Sequence, residues 1–431
     1  MSMPRKTLIA GSLCLVLVAA VVAPLGCGPK KKQQGAAPNA GPPRASVTLR
    51  VAVVSDGALR LAIDRLRGEW KLATDGVVET LDFPAGADTA TAKEAGQDFD
   101  LIVFPSRSLG ALCEAQLLRP VRPSVLKSEE LRFEDFLPLI RDHEIVYAQR
   151  VMALPLGCPT PLLLASDESE VSCTAPVDDL ELALAYLAWA APHAEHRSRV
   201  ATLFDFDTFE PRLARPPFVR ALEEFIDAMD GGPGRIVWPA RDEPLPEGLT
   251  PRGFPGAEAS YDPLADEWDA SAPGGRAATL LASSGRLIAV TKASRNAATA
   301  FRFAAWLAGP ENASQLSMAS DAVANCRGSR SRSVDGWRAT EDRPLARSFT
   351  EAVAEALRAP RYLLAPRLPG SEEYLRALAK HVRDALDGAP PQEALAAAAA
   401  DWEAISAARG RDAQRAAYER SLNSARFPAG E

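Results

Sequence analysis

Residues 98–121 read DFDLIVFPSRSLGALCEAQLLRPV. The run Asp100 to Phe104 is almost wholly apolar, the pattern of a strand buried on both faces of a parallel sheet. It stops at Pro105-Ser106-Arg107, a turn, and a helical stretch follows before Leu118-Arg119-Pro120. Upstream, Val47 to Val54 (VTLRVAVV) is β-branched and reads as a strand. Ser55-Asp56-Gly57 supplies turn and cap chemistry, and Leu59, Ala62, Ile63, Leu66 and Trp70 then recur at helical spacing. Val77 to Phe83 (VVETLDF) is a second strand. The order β-α-β-β predicts an α/β fold with a parallel sheet and right-handed crossovers. In open sheets of this kind, ligands sit beyond the carboxyl ends of the strands. Two such ends are visible, Ser55-Asp56-Gly57 and Pro105-Ser106-Arg107.

Downstream, Glu144 to Leu156 reads as two short strands around a turn, leading into Gly157-Cys158-Pro159-Thr160-Pro161 and an apolar run, Leu162 to Ala165. Leu180, Ala183, Leu184, Leu187 and Ala188 mark one helix. Phe218, Leu222, Phe225, Ile226 and Met229 mark another, with Glu223, Glu224 and Asp227 opposite. Residues 231–275 are rich in Gly, Pro and acids and read as a long irregular stretch. Arg286 to Lys292 is a late strand, Asn296 to Ala308 a helix, and the chain after residue 350 reads as mostly helical.

The chain has 431 residues, enough for two or three domains at roughly 100–200 residues each. Its formal charge is −7, the wrong sign for a nucleic-acid binder. Four histidines leave little room for a His-based metal site, and no cofactor is expected. No enzyme is expected either. Ser124-Val125-Leu126-Lys127 matches SxxK without its companion motifs, and GxSxG, HExxH and P-loop patterns are missing. His193 and His196, and the alternating Asp205 and Asp207, lack the further ligands a metal site needs. At the N-terminus, Arg5 and Lys6 precede an apolar run from Leu8 to Val22, too short for a comfortable membrane span. Residues 1–26 therefore read as a signal peptide and 27–45 as a flexible tether. Among the cysteines beyond it, Cys113, Cys158, Cys173 and Cys326, three pairings are open.

Leu25-Gly26-Cys27 resembles a bacterial lipobox, although Pro24 stands where that pattern has Leu, Val or Ile. The resemblance implies cleavage before Cys27, a lipid anchor on its thiol, and an exported, membrane-anchored lipoprotein in the periplasm or at the cell surface. The body of the chain, over about residues 47–405, resembles the extracellular solute-binding proteins of ABC transporters, family 1. The residues that carry this are the strand and helix ending near Trp70 with Thr74-Asp75-Gly76, the 98–121 stretch, Tyr147-Ala148 with Ala153-Leu154-Pro155, Leu287 to Asn296 followed by Trp306-Leu307, and Tyr374 to Ala400. The long 231–275 stretch and residues 409–431 depart from the family pattern.

The resemblance implies a two-lobed fold of the periplasmic-binding-protein type 2, each lobe a mostly parallel sheet flanked by helices. Lobe 1 would comprise 47–155 and 287–335, lobe 2 would comprise 160–285 and 338–405, and 406–431 would be a C-terminal helical extension. A small-molecule solute, probed first as a sugar or oligosaccharide, would bind between the lobes of a monomer and pass to an ABC permease. Candidate contacts are Ser55 and Asp56, whose carboxylate suits hydroxyl groups, and Pro105 and Ser106 at the third strand's end. Thr160 lies at the lobe crossover, and Trp238, Tyr261 and Trp268 offer stacking faces. Each has a plainer reading: Asp56 as a helix cap, Ser106 as another, the aromatics as packing. Arg327, Arg330 and Arg332 read as a solvated linker. A non-transport surface lipoprotein using the same fold for sensing or partner binding is the alternative.

Overall fold

A computed structural model describes residues 47–83, 88–166, 171–194, 200–238, 248–262, 267–269, 277–331 and 343–423. The signal peptide, the tether and Cys27 lie outside the described residues, as do His196 and Arg332. Thr48–Val54 pairs in parallel with Val77–Phe83 on one side and with Leu101–Pro105 on the other. Leu101–Pro105 is buried at every position, as its composition demands of a central strand. Arg286–Val290 then runs antiparallel between it and Leu154–Gly157, closing a five-stranded sheet. Helix Gly57–Thr74 lies on this sheet with Leu59, Ala62, Ile63, Leu66 and Trp70 inward, the five residues its periodicity selects. Trp70 meets Phe303 edge-on at 5.2 Å, which fixes helix Ala297–Leu307 beside it.

A second body of sheet and helix follows. Leu162–Ala165 pairs antiparallel with both Gly234–Val237 and Thr250–Arg252, and Gly234–Val237 pairs in parallel with Cys173–Thr174, so this sheet is mixed. Thr279–Leu281, Tyr362–Leu364 and Val200–Ala201 form a separate parallel sheet. Parts of 231–275 thus carry strand structure where composition reads as irregular. Two of its segments belong to the mixed sheet, and Ser260–Asp262 with Glu267–Asp269 forms a hairpin. Helix Asp179–Ala190 packs on Thr279–Leu281, and Pro216–Ala228, Ser371–Leu386 and Pro391–Arg409 pack with it in one helical layer.

The apolar side chains fall into two clusters. One holds the first sheet and its helices. The other centres on Phe204, stacked on Phe209 at 4.4 Å and on Trp402 at 5.1 Å, with Tyr374 and Tyr418 against its edges. Around Phe204, the Trp402 indole donates to the Tyr374 carbonyl (2.7 Å), and Leu203 N donates to the Tyr418 hydroxyl (2.8 Å). Helix Arg343–Ala356 is shared differently, since its Phe349 and Val353, with Leu357 just beyond it, join the first cluster.

Cys113, Cys158, Cys173 and Cys326 are free thiols. Cys158 belongs to the first cluster and Cys173 to the second. Burial pushes Cys113 and Cys326 up to about 12 and Cys158 well above its ordinary value. These thiols stay protonated and unreactive at neutral pH.

Candidate functional site

The carboxyl ends of Thr48–Val54, Leu101–Pro105 and Leu154–Gly157 share one edge of the first sheet, where Arg286 enters opposite Pro105 and Gly157. Here the two candidate strand ends are brought together. Asp56 Oδ1 accepts from Leu59 N at 2.9 Å, the N-cap of the following helix. Its Oδ2 accepts from Arg286 Nε (3.1 Å) and from the Ser320 hydroxyl (2.6 Å). Arg286 also donates to the carbonyls of Ser55 and Ser284, both at 3.1 Å. The side chains of Asp56 and Arg286 are only 7% and 11% exposed, so Asp56 is a cap and an internal ion pair at once. Ser55 is held in the left-handed region at φ 57°, with its N–H on Phe83 O at 2.7 Å. Pro105 and Ser106 are fully buried, and Ser106 N donates to Gly285 O at 2.9 Å.

From this edge the chain crosses twice to the second body, through Gly157–Pro161 and back through Ala282–Gly285. The crossings lie in contact. A Cβ on Gly285 would stand 2.9 Å from Gly157 O and 3.0 Å from Cys158 Cα, so only glycine permits this approach. The Ser283 hydroxyl reaches Pro159 O (3.3 Å) and the Thr160 hydroxyl reaches Leu280 O (3.5 Å). Ala282 adopts φ 58°, costly for a residue with a Cβ, and its N–H donates to Glu144 Oε2 at 2.6 Å. Glu144 is buried. Burial raises its pKa, opposed by the Ala282 N–H, the Ser106 hydroxyl and the charge of Arg367. Arg367, itself buried, donates to the carbonyls of His143, Glu144 and Val146.

A cavity of about 880 Å³ opens beside the crossing. Thr160, Pro161, Thr279 and Leu280 form one wall, Arg252 and Phe254 a second, and helix Arg343–Ala356 a third through Glu351, Ala352 and Glu355. Its volume is of the size that encloses small ligands. Thr160 is the sequence candidate that lines it. Among the described lining residues, Phe254 is the aromatic ring.

The three aromatic candidates lie elsewhere. Tyr261 and Trp268 face each other across their hairpin with ring centroids 5.4 Å apart, and the Arg220 guanidinium sits 4.8 Å over Trp268. Trp238 is 6% exposed in the second cluster. Arg327 and Arg330 are not part of a solvated linker. Arg327 is 1% exposed, donates to Leu131 O and Arg132 O, pairs with Asp135 at 3.3 Å and covers Phe136. Arg330 donates to Ser314 and to Pro310 O. His193 pairs with Glu224 at 2.9 Å, and Asp205 closes a turn on the N–H groups of Asp207 and Thr208. No cluster able to hold a metal occurs among the described residues. Arg286, Ser320, Glu144 and Arg367 carry no motif. Only the fold brings Arg286 to Asp56 from 230 positions away.

No protein-family model matches the chain, and no curated protein matches it in sequence. Solved structures do. The sugar-binding protein MalE from Xanthomonas citri superposes with a TM-score of 0.62 at 14% identity, covering 84% of this chain and 98% of that one. The GacH receptor of Streptomyces glaucescens, described unliganded and with acarbose, gives 0.57 at 14% identity over 88% and 99%. An ABC transporter solute-binding protein from Agrobacterium radiobacter, in complex with ribitol, gives 0.57 at 16% over 83% and 98%. The chain has the two-lobed solute-binding-protein fold. In that fold the sheet edge at Asp56 and Ser106, the paired crossings and the cavity at Thr160 are neighbours. Among the described residues no helix is long and apolar enough to cross a membrane.

Proposed function

We propose that this chain is an exported, lipid-anchored solute-binding protein that captures a carbohydrate-like solute between its lobes and delivers it to the permease of an ABC importer. The observation that carries the reading is the cavity of about 880 Å³ beside the paired crossings, lined by second-lobe segments with Thr160 on its wall and by Ser331 from the first. Proteins of like fold have been solved in complex with ribitol and with acarbose, which supports a polyol or sugar. In this reading the lobes are 47–155 with 287–335 and 160–285 with 338–405, and Cys27 carries the lipid. Solute binds one relative orientation of the lobes better and shifts the population toward it. Thr160, Arg252, Glu351 and Glu355 supply hydrogen bonds, and Ser55, Asp56, Pro105 and Ser106 form the rigid edge from which the crossings start. Trp238, Tyr261 and Trp268 serve the second body's packing.

A second reading, a surface lipoprotein that uses the fold for sensing or partner binding, is favoured by two observations. Both oxygens of Asp56 are already bonded within the protein, and the cavity wall is rich in alanine with Phe254 as its aromatic ring. A thermal-shift screen of residues 45–431 against sugars, polyols, amino acids and oligosaccharides separates the two. Solute at about 100 times its dissociation constant adds about 2.7 kcal/mol of stability. A selective rise in midpoint with one polyol or sugar class is the expected result. A cooperative melt that no solute shifts would favour partner binding.

A further inference from the structure

The C-terminal helix Arg411–Ser421 and the residues to Asn423 belong to the stretch that departs from the family pattern. On one side the helix is built into the aromatic core of the second body. Tyr418 lies 5.2 Å from Phe204, ring to ring, and accepts from Leu203 N. Arg411 donates to Thr208 O at 3.0 and 3.2 Å, and Arg415 to Asp207 O at 3.2 Å. On the other side it reaches the first body. Arg420 holds Glu114 through two parallel bonds, Nε to Oε1 at 2.7 Å and a terminal nitrogen to Oε2 at 2.6 Å. The Tyr147 hydroxyl donates to Glu114 Oε1 at 2.5 Å and lies 3.1 Å from Ala417 O. Ala148 N donates to Arg420 O and Gln149 N to Asn423 Oδ1, both at 2.9 Å. Leu422 packs against both apolar clusters.

The two sides differ in kind. The second-body side is aromatic and buried. Buried Arg367 ties Ser421 to the carbonyls of His143, Glu144 and Val146, and the buried Tyr147 hydroxyl meets Ala417 O; the rest of the first-body side is a charged pair at 30% and 24% exposure with a few hydrogen bonds to a hairpin. Polar contacts of that kind exchange with water at far smaller cost than a buried aromatic cluster does.

We infer that residues 411–423 are a clasp: the helix is a fixed part of the second lobe, and its Glu114–Arg420 and hairpin contacts hold the first lobe, limiting how far the lobes move apart. The clasp regulates the proposed site, so it rests on the reading that solute is captured between mobile lobes. Its seam runs through Glu114, Tyr147 and the Ala148-Gln149 turn.

The test needs no solute. Spin labels on cysteines introduced at Leu72 and Val177, exposed residues of the first and second bodies, report the interlobe distance in the full chain. Arg420→Gln and Glu114→Gln remove the charged pair without removing the helix. A variant ending at Gly410 removes the clasp whole, and circular dichroism checks that each variant is folded. The expected result is one narrow distance population in the parent and an additional, longer one in both point variants, with the parent distribution regained on pairing Glu114→Arg with Arg420→Glu. Distance distributions identical to the parent in the folded point variants overturn the clasp. Solute titration of the same samples keeps the two readings apart. A broadened distribution with no solute response retains the clasp and rejects the solute reading. A solute response with an unbroadened distribution does the reverse.

Discussion

At the scale of single residues, the least replaceable side chains are charges taken from water and answered within the protein. Asp56 caps a helix with one oxygen and answers Arg286 with the other. Asp56→Asn keeps a good cap but leaves the Arg286 guanidinium uncompensated, and breaking a buried pair costs about 3–5 kcal/mol. Urea unfolding is expected to show a loss near about 3 kcal/mol, and Arg286→Met added to it to recover part of the loss. Glu144 works in the opposite direction. Burial holds its pKa above the unfolded value, so in the folded protein it keeps its proton to higher pH. The folded state therefore binds more protons than the unfolded state once pH rises past the ordinary carboxylate range. Stability contributed by the protonated form is full below that range and is lost as pH climbs through the folded-state pKa. Glu144→Gln retains an oxygen for Ala282 N and removes the titration. Its melting midpoint should match the parent at acid pH and exceed it at neutral pH. Parallel midpoint–pH curves would contradict the assignment. Of these residues only the Asp56 cap is legible in the sequence, because capping is local. Arg286, Glu144 and Arg367 act on groups dozens to hundreds of positions away, which no spacing rule reaches.

At the scale of elements, legibility follows regularity. The Gly57–Thr74 helix is readable because an apolar stripe at helical spacing has one way to be buried. The strand Tyr362–Leu364 is not, being three residues long in a region whose composition favours helix. The strands within 231–275 are equally short and owe their existence to partners far away in sequence. The hairpin of Val146–Tyr147 and Arg150–Val151 is readable as a turn, but not its strain. Ala148 and Gln149 both adopt positive φ, 49° and 60°, the pair of angles a two-residue hairpin turn normally gives to Asn-Gly. Each residue with a Cβ costs roughly 1–2 kcal/mol there. Changing Ala148-Gln149 to Asn-Gly leaves the backbone donors to Arg420 O and Asn423 in place and is expected to stabilise the protein by about 1 kcal/mol, read as a raised urea midpoint. Gly110 makes the converse case. A Cβ there would come within 1.7 Å of Arg367 O, so Gly110→Ala forces two backbones apart. A destabilisation of at least about 3 kcal/mol is expected, and a neutral outcome would mean the two segments are not packed as described.

At the scale of the whole molecule, two apolar cores are joined, among the described residues, by a pair of crossings in glycine-to-backbone contact and by helix Arg411–Ser421, whose following Leu422 packs on both. The α/β order and the three parallel strands of the first sheet can be read along the chain, since each is local or follows strand order, whereas the crossings come only from the family resemblance. The cavity cannot, because its walls come from Thr160, Arg252, Thr279 and Glu355, four segments that only the fold assembles. The same holds for the clasp, whose partners Glu114 and Arg420 are 306 positions apart. In the proposed reading solute is taken up at the cavity beside Thr160, whose walls come from the second body with Ser331 of the first. The most direct measurement is calorimetric titration of the solute class selected by thermal shift into the parent and into Ala278→Trp, which puts an indole into the cavity from a half-buried wall position. Binding by the parent and its loss in a folded Ala278→Trp is the predicted result. Equal binding by both proteins would contradict the placement of the site.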